Sequence, residues 1–397
     1  MLPPWIDPAF RLTEGGATLD ASRLAAAAAR LAASFREAGR GEADGRSAAG
    51  VVTALAAAEA AGVELRLRRG GGPADGTPPA PGFSLVLETS GTTGTPKAVR
   101  HDLSRLLGRV PRVPAREAVW LLAYDPTGFA GLQVLLTALA GGGRLVAAPG
   151  ADAPALAALA EAEGCTHASA TPSFWRSFLL TPAAPPLRAV TLGGEAVEQA
   201  LLDRLAARFP GARIRHIYAS TEAGALFAVS DGREGFPAAW LETGADGVHL
   251  RIRDGVLEVR SPRMALCRAD GAALEKDGWI VTGDLVEVLG DRVLFRGRND
   301  GVVNVGGVKV VPEQVEALLL AVPGVLDAAV SSVPSPITGR LLTARVAPAP
   351  GTAEEPLRAL MREALAALPP AARPRRIELV ERLDLAPSGK KLRAEAS

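Results

Sequence analysis

The sequence predicts an α/β fold with a large N-terminal domain, a helix-covered and mostly parallel sheet joined to a small β-barrel or sheet, followed by a small α+β C-terminal domain. Three observations predict it. Strand-like apolar runs alternate with helical segments over residues 83–219, as parallel strands joined by crossover helices do. After Ser220 the runs become short and are separated by Asp-Gly and Gly-Asp pairs, which mark antiparallel hairpins. The chain has 397 residues, more than a single hydrophobic core serves.

Each element has its own local signal. Asp20 is placed to cap a helix through the alanine-rich stretch to about Glu37, and a second helix is expected over 47–61, starting at Ser47. A strand is expected at 63–68, then a proline- and glycine-rich linker at 70–82. Strands are expected at 83–87, 118–124, 144–148, 166–170, 187–192 and 213–219, with helices at 129–140, 153–163 and 197–209. Next come two hairpins, 248–253 with 256–260 around Asp254-Gly255, and 285–289 with 293–296 around Gly290-Asp291. The final unit has helices near 313–320 and 355–368 and strands near 328–332, 342–346 and 376–380. The stretch Gly297 to Gly301 is the expected boundary, dividing 1–297 from 298–397, and no internal repeat is visible.

Composition narrows the function. With 44 basic and 43 acidic residues the net charge is +1, which gives no electrostatic reason to expect nucleic acid or an anionic membrane as a partner. The two cysteines, Cys165 and Cys267, lack metal-ligand spacing and read as buried, reduced thiols of a cytoplasmic protein. No secretion signal is expected at the N-terminus, which has neither a basic start nor an apolar core. The longest uncharged stretch, 126–143, is broken by Pro126, Gly128 and Gly131 and reads as loop plus core helix, not a membrane span.

The chemistry starts in the loop that follows residues 83–87. Thr89, Ser90, Gly91, Thr92, Thr93, Gly94, Thr95, Pro96 and Lys97 put hydroxyls, glycines and a lysine into one turn. Glycines let successive N–H groups converge on an anion, and Lys97 adds positive charge, so the loop suits the phosphates of a nucleotide. It is not a Walker loop, because Pro96 separates Gly94 from Lys97 and Ala98 replaces the magnesium-binding hydroxyl. Downstream, Gly193-Gly194-Glu195 ends a strand where a ligand can approach closely. Tyr218-Ala219-Ser220-Thr221-Glu222 pairs a hydroxyl with a carboxylate, which suits Mg²⁺; a capped helix N-terminus is the plainer reading. His216 beside it reads as a core histidine. Thr282-Gly283-Asp284 presents a carboxylate able to accept both hydroxyls of a ribose, and Pro387-Ser388-Gly389-Lys390-Lys391 presents a lysine near the C-terminus.

In this order the motifs resemble the acyl-activating, adenylate-forming superfamily of acyl- and aryl-CoA synthetases, nonribosomal adenylation domains and luciferases. Gly297-Arg298-Asn299-Asp300 and Gly306-Gly307-Val308-Lys309 also match, so the resemblance runs from Phe83 to Arg393. It implies ATP-dependent adenylation of a carboxylic acid with Mg²⁺, then transfer to the thiol of CoA or of a carrier protein's phosphopantetheine. By the same resemblance Thr89, Ser90, Thr92, Thr93 and Lys97 hold pyrophosphoryl oxygens, with Gly91 and Gly94 shaping the loop. Thr221 and Glu222 hold phosphate and Mg²⁺, with Glu222 as the metal ligand. Gly193, Gly194, Glu195 and Tyr218 line the nucleotide, Asp284 and Arg298 bind ribose, and Lys390 bridges the carboxylate and α-phosphate. The C-terminal domain is mobile, with Asp300 as hinge and Gly306 and Gly307 forming the thiol passage.

Several positions depart from the family pattern. The phosphate loop starts early, so the N-terminal subdomain is reduced, a compactness that resembles short o-succinylbenzoate–CoA ligases. Residues 123–131 lack the histidine often found there, Glu88 replaces an aromatic, Ala219 replaces a glycine, and Asn304 stands where lysine is common. The pocket candidates Phe129, Gly131 and Ala219 are small or apolar and carry no charge to read an ammonium group, which favours a small or medium aryl or aliphatic acid. Two alternatives stand beside a CoA ligase. One passes the adenylate to a carrier protein or a non-thiol acceptor, and the other is a catalytically inactive nucleotide- or acyl-binding protein.

Overall fold

The computed structural model describes residues 2–69, 78–89, 97–108, 110, 115–336, 338–386 and 388–392. The first two helices form where the cap residues place them. Asp20 accepts from the Arg23 N–H (2.9 Å) and starts the helix Ala21–Ala38, which turns Leu24, Ala28, Ala32 and Phe35 inward at helical spacing and ends at Gly39 with φ +69°. Ser47 starts Ala48–Ala61, and Glu14 reaches over from a neighbouring strand to accept from the N–H groups of Ala48 and Ala49. A carboxylate at that helix N-terminus is favourably placed.

The expected strands between residues 83 and 220 are all present, each within two residues of its expected bounds. They divide between two sheets. The larger has eight strands in the order Gly224–Val229, Arg213–Ser220, Ala189–Gly193, His167–Ala170, Val119–Leu122, Arg144–Ala147, Arg11–Glu14 and Ala17–Asp20. Its central pairs are parallel and its two outer pairs antiparallel. The second has five strands: Cys267–Arg268, Lys97–His101, Leu85–Thr89, Leu65–Arg68 and Gly41–Asp44. Lys97–His101 pairs antiparallel with Leu85–Thr89. The phosphate-loop stretch therefore joins two strands of a hairpin, and its residues 90–96 lie outside the described residues.

Several elements carried no usable sequence signal. The hairpin of Arg11–Glu14 and Ala17–Asp20 and the strand Gly41–Asp44 are short and polar, without apolar alternation. Lys97–His101 carries three basic residues, and Pro172–Phe178 is too short for periodicity to register. Pro172–Phe178 nonetheless brings Trp175 and Phe178 fully into a core shared with Phe174 and Phe209. Burying such a side chain contributes about 1.5–3 kcal/mol.

Beyond Val229 an antiparallel five-stranded sheet holds both expected hairpins, with Val256–Arg260 between His249–Arg253 and Ile280–Leu289. The second hairpin is longer than expected, Ile280–Leu289 with Arg292–Arg298. The smaller C-terminal domain has its own hydrophobic core, including Val315, Leu319, Val330, Leu342, Val346 and Met361. The helices Pro312–Leu320 and Glu354–Ala366 contribute to it, over strands Val325–Ser335, Gly339–Pro348 and Arg376–Leu379. Cys165 is buried as expected, whereas Cys267 is only half-buried because it lies on an edge strand. Among the described residues no helix is long and apolar enough to cross a membrane.

Candidate active site

The antiparallel register of Ile280–Leu289 with Arg292–Arg298 sets Asp284 directly opposite Arg298. The Arg298 guanidinium donates to Asp284 Oδ1 at 3.2 Å and to Asp300 Oδ1 at 2.9 Å. Each residue of Thr282-Gly283-Asp284 has a distinct job. The Thr282 hydroxyl donates to Leu257 O and accepts from the Asp284 N–H. Gly283, at φ +78°, leaves room for the guanidinium, whose Nη2 would lie 2.9 Å from any Cβ there. Asp284 Oδ2 accepts from the Tyr218 hydroxyl. The Tyr218 ring is held between Phe227 and Phe295, with centroids 5.4 and 4.9 Å away.

Burial pushes the Asp284 carboxyl above the usual aspartate range, against the pull of Tyr218 and Arg298. Burial and the facing carboxylate push the Tyr218 hydroxyl well up, so it stays a donor. A rigid carboxylate with its side chain 20% exposed is thereby presented to solvent.

Lys390 comes to the same place. A Cβ on Gly194 would lie 3.5 Å from Lys390 Cε, ordinary van der Waals distance, so the lysine lies against this turn, where the φ of +87° is what calls for glycine. Lys390 keeps access to solvent, yet crowding by protein lowers its proton affinity, with Arg298 and Arg69 adding to the effect and Glu195 and Asp284 opposing it. The preceding Gly389 carbonyl accepts from the Thr171 hydroxyl. Gly193 is fixed by the Tyr124 hydroxyl, which donates to its carbonyl at 3.3 Å. Both carboxylate oxygens of Glu195 are engaged, by the N–H groups of Ser173 (2.9 Å) and Lys391 (3.3 Å).

Thr221 and Glu222 occupy a turn between antiparallel strands, so the helix-cap reading of this motif is corrected. Ser220 caps that turn by accepting from the Ala223 N–H. Ala219 lies at a register shift in the hairpin, where a bulge re-aims the side chains. His216 is a buried core histidine whose Nε2 meets Arg233 O at 3.0 Å, and burial lowers its pKa.

Phe129 starts the helix Phe129–Gly141 and packs on the ring of His101 at 5.9 Å. His101 is wholly buried, faces the backbone of Thr221, and is pushed down to about 4 by burial. Gly131, the other pocket candidate on this helix, has a backbone reason of its own. A Cβ there would fall 2.0 Å from the Asp125 carbonyl oxygen, so this glycine seats the helix on its own preceding loop.

The remaining candidates stand apart. Gly306 and Gly307 form the exposed tip of the hairpin Val303–Val305 and Val308–Val310, where Asn304 Oδ1 accepts from the Gly307 N–H at 2.8 Å. That bond is the local reason for asparagine at this position. Ser90, Gly91, Thr92, Thr93 and Gly94 lie outside the described residues, and of Thr89 and Lys97 only the strand positions are described. A cleft of about 700 Å³ between residues 154–183 and 348–382 contains none of the predicted residues.

Sequence reasoning missed several charged residues. Arg69 follows the strand next to Leu85–Thr89, lies against Gly128, and sits 3.4 Å from Asp125. Glu88, a departure from the family pattern, pairs with Arg68 at 2.9 Å and accepts from the Arg69 N–H. The double arginine was the available signal. A second group, Arg176, Glu198, Glu316, Asp327 and Lys391, connects the C-terminal domain to the large sheet and is spread over too much sequence to read as a motif.

Comparison with known proteins agrees with this geometry. Residues 83–248 match the model of the AMP-binding enzyme family, and residues 314–390 match the AMP-binding enzyme C-terminal domain. The chain is 30% identical to phosphinothricin tripeptide synthetase PhsB of Streptomyces viridochromogenes, over 78% of this chain and 29% of that protein. It is 28% identical to the medium/long-chain-fatty-acid–[acyl-carrier-protein] ligase FadD10 of Mycobacterium tuberculosis, over 78% of this chain and 65% of that one. The chain thus spans less than two thirds of either relative. ATP-bound MatB from Rhodopseudomonas palustris superposes with TM-score 0.76 at 20% identity, covering 97% of this chain and 94% of that one, which establishes the shared fold.

Proposed function

Because the chain belongs to the family of AMP-binding enzymes, we propose that it uses ATP to adenylate a small or medium aryl or aliphatic carboxylic acid and passes the acyl group to a pantetheine thiol, coenzyme A foremost. The observation that carries this reading is the meeting of Lys390 with Gly194, in the field of Asp284 and Arg298. In the first step a carboxylate oxygen attacks the α-phosphorus, the bond to the β-phosphate oxygen breaks, and pyrophosphate leaves. The nucleophile is already ionised near neutral pH, so no general base is required. What the site must supply is position and positive charge.

Asp284 accepts the ribose hydroxyls in this reading, held rigid by Tyr218 and Arg298. Lys390 bridges the carboxylate and the α-phosphate. Thr89, Lys97 and the hydroxyl-rich loop between them take the pyrophosphate. Glu222 beside the Thr221 hydroxyl fits Mg²⁺, which takes few protein ligands and keeps room for phosphate oxygens. When bound, that ion offsets phosphate charge. In the second step the thiol sulfur attacks the acyl carbonyl and AMP leaves.

We place the domain boundary between residues 297 and 298, with Asp300 as the hinge that would bring Gly306 and Gly307 to the thiol. Glu195 is assigned to seating the C-terminal tail, since one oxygen accepts from the Lys391 N–H while the other is held by the Ser173 N–H. The likeness to FadD10 supports a second reading, in which the acceptor is the phosphopantetheine of a carrier protein.

The test is pyrophosphate release from ATP across aryl and aliphatic acids, with CoA, with holo carrier protein, or with neither. Acid-dependent release with a thioester as product is the expected result. Release without a thioester would overturn thiol transfer, and no release with any acid would overturn the adenylation reading.

A further inference from the structure

The tail that carries Lys390 is anchored on both sides of that residue. On one side the Gly389 carbonyl accepts from the Thr171 hydroxyl. On the other, Glu195 Oε1 accepts from the Lys391 N–H at 3.3 Å, while Glu195 Oε2 is fixed by the Ser173 N–H. The Lys391 side chain points into the C-terminal domain. Its ammonium donates to Ala328 O (2.6 Å) and Glu316 Oε2 (3.1 Å) and lies 3.6 Å from Asp327 Oδ1.

Asp327 also faces across to Arg176 at 3.3 Å, and Arg176 binds Glu198 at 2.5 Å. The side chains of Lys391, Glu316, Asp327 and Arg176 are at most 7% exposed. Burial alone would lower both cations, but Glu198 and Asp327 hold Arg176 charged, and Glu316 and Asp327 hold Lys391 charged.

We propose that Lys391, Asp327, Arg176 and Glu195 are positioning residues: a buried two-part ionic clamp that aims Lys390 at the acid and the α-phosphate and opens along the Arg176–Asp327 contact. The proposal rests on the adenylation reading above for what Lys390 does. It explains why a second lysine, with its ammonium in the interior, follows the first. It also explains how so buried a contact can part. If the C-terminal domain moves, Lys391 stays with Glu316 and Asp327, and Arg176 stays with Glu198. Each half keeps a cation beside a carboxylate, so neither cation is stranded, which is the outcome that makes breaking a buried ion pair costly.

The test uses the full chain in four forms: Lys391→Met, Lys391→Arg, Arg176→Met and Glu195→Gln. Acid-dependent ATP–pyrophosphate exchange reports adenylation, and thioester formation from supplied acyl-adenylate reports the second step. Exchange kcat is expected to fall by ~10–10²-fold in Lys391→Met and Arg176→Met, as small misplacements of a reacting group do, with the KM for ATP little changed. Thioester formation should stay within about twofold, and Lys391→Arg should recover part of the exchange.

A second readout needs no turnover. The labelling rate of Lys390 by an amine-directed reagent, followed by peptide mass spectrometry, should rise several-fold in both methionine variants. Arg176→Met and Glu195→Gln leave Lys391 with its carboxylates, so they decide the matter if Lys391→Met fails to fold. Unchanged exchange and unchanged Lys390 labelling in Arg176→Met and Glu195→Gln would overturn the clamp. Wild-type protein inert with every acid would instead overturn the adenylation reading, and the labelling rates would still decide the clamp.

Discussion

Asp284 and Asp327 are each flanked by an arginine and a second donor, and in both burial pushes the carboxyl above the usual aspartate range. Their surroundings differ. Asp284 is 20% exposed, its arginine is 46% exposed, and its other partner is a neutral tyrosine hydroxyl. Asp327 is 7% exposed and lies between two interior cations. The first arrangement leaves carboxylate surface that a ligand's hydroxyls can reach, and the second leaves none. The same residue type is thus open to a ligand in one place and closed into a domain contact in the other, and access to solvent decides which.

The largest expected effect tests the closed cluster. Asp327→Ala takes a buried partner from Arg176 and from Lys391 at once, which costs up to about 3–5 kcal/mol, less what Glu198 and Glu316 retain. Urea unfolding of the full chain should show that loss as a lower midpoint, and a change below about 1 kcal/mol would mean the cluster is wetter than its burial implies. Next comes the residue that both clusters serve. Lys390→Ala should cut acid-dependent pyrophosphate exchange by ~10²–10³-fold, the usual cost of one charge-stabilising donor, while sparing thioester formation from supplied adenylate. An equal fall in both half-reactions would break the two-conformation account.

The open cluster should respond through the ligand. Tyr218→Phe removes the hydroxyl that holds Asp284, and loss of a hydrogen bond to a charged group costs about 1.5–3 kcal/mol, to be read as weaker ATP binding by titration calorimetry. Asp284→Asn sharpens the point through pH. A carboxyl whose folded pKa is raised contributes stability that is complete below the ordinary aspartate pKa and lost as pH rises through the raised value. The asparagine variant should therefore melt higher than wild type at pH 7, with the gap closing toward pH 4, while binding ATP less well. A variant that melts lower at pH 7 would mean Asp284 is structural, like Asp327.

The contrast also shows what a sequence can reveal. The open cluster was legible because Thr282, Gly283, Asp284, Arg298 and Asp300 fall in two short strings that resemble family motifs, and one hairpin register then brings them together. The closed cluster was not, because Arg176, Glu198, Glu316, Asp327 and Lys391 come from five separate segments and meet only after the C-terminal domain docks. The fold divides the same way. Apolar periodicity located the central strands of the eight-stranded sheet, but it could not find Arg11–Glu14 or Gly41–Asp44, whose pairing depends on neighbours distant in sequence. Gly131 shows a further limit, because a glycine fitted to backbone contact and one that opens a pocket read alike in sequence.

The smallest expected effect isolates screening. Arg298 and Asp300 pair at 2.9 Å with side chains 46% and 43% exposed, so Asp300→Ser should change stability by no more than about 1 kcal/mol. At 1 M salt the screening length falls to about 3 Å, and that difference should vanish. The same salt should leave most of the Asp327→Ala loss in place, because ions do not reach a pair that solvent does not reach. Unfolding midpoints of wild type and both variants at low and high salt make the comparison direct. If salt removed the Asp327 effect as readily as the Asp300 effect, burial would not be what separates the two clusters, and the clamp would be one more surface ion pair.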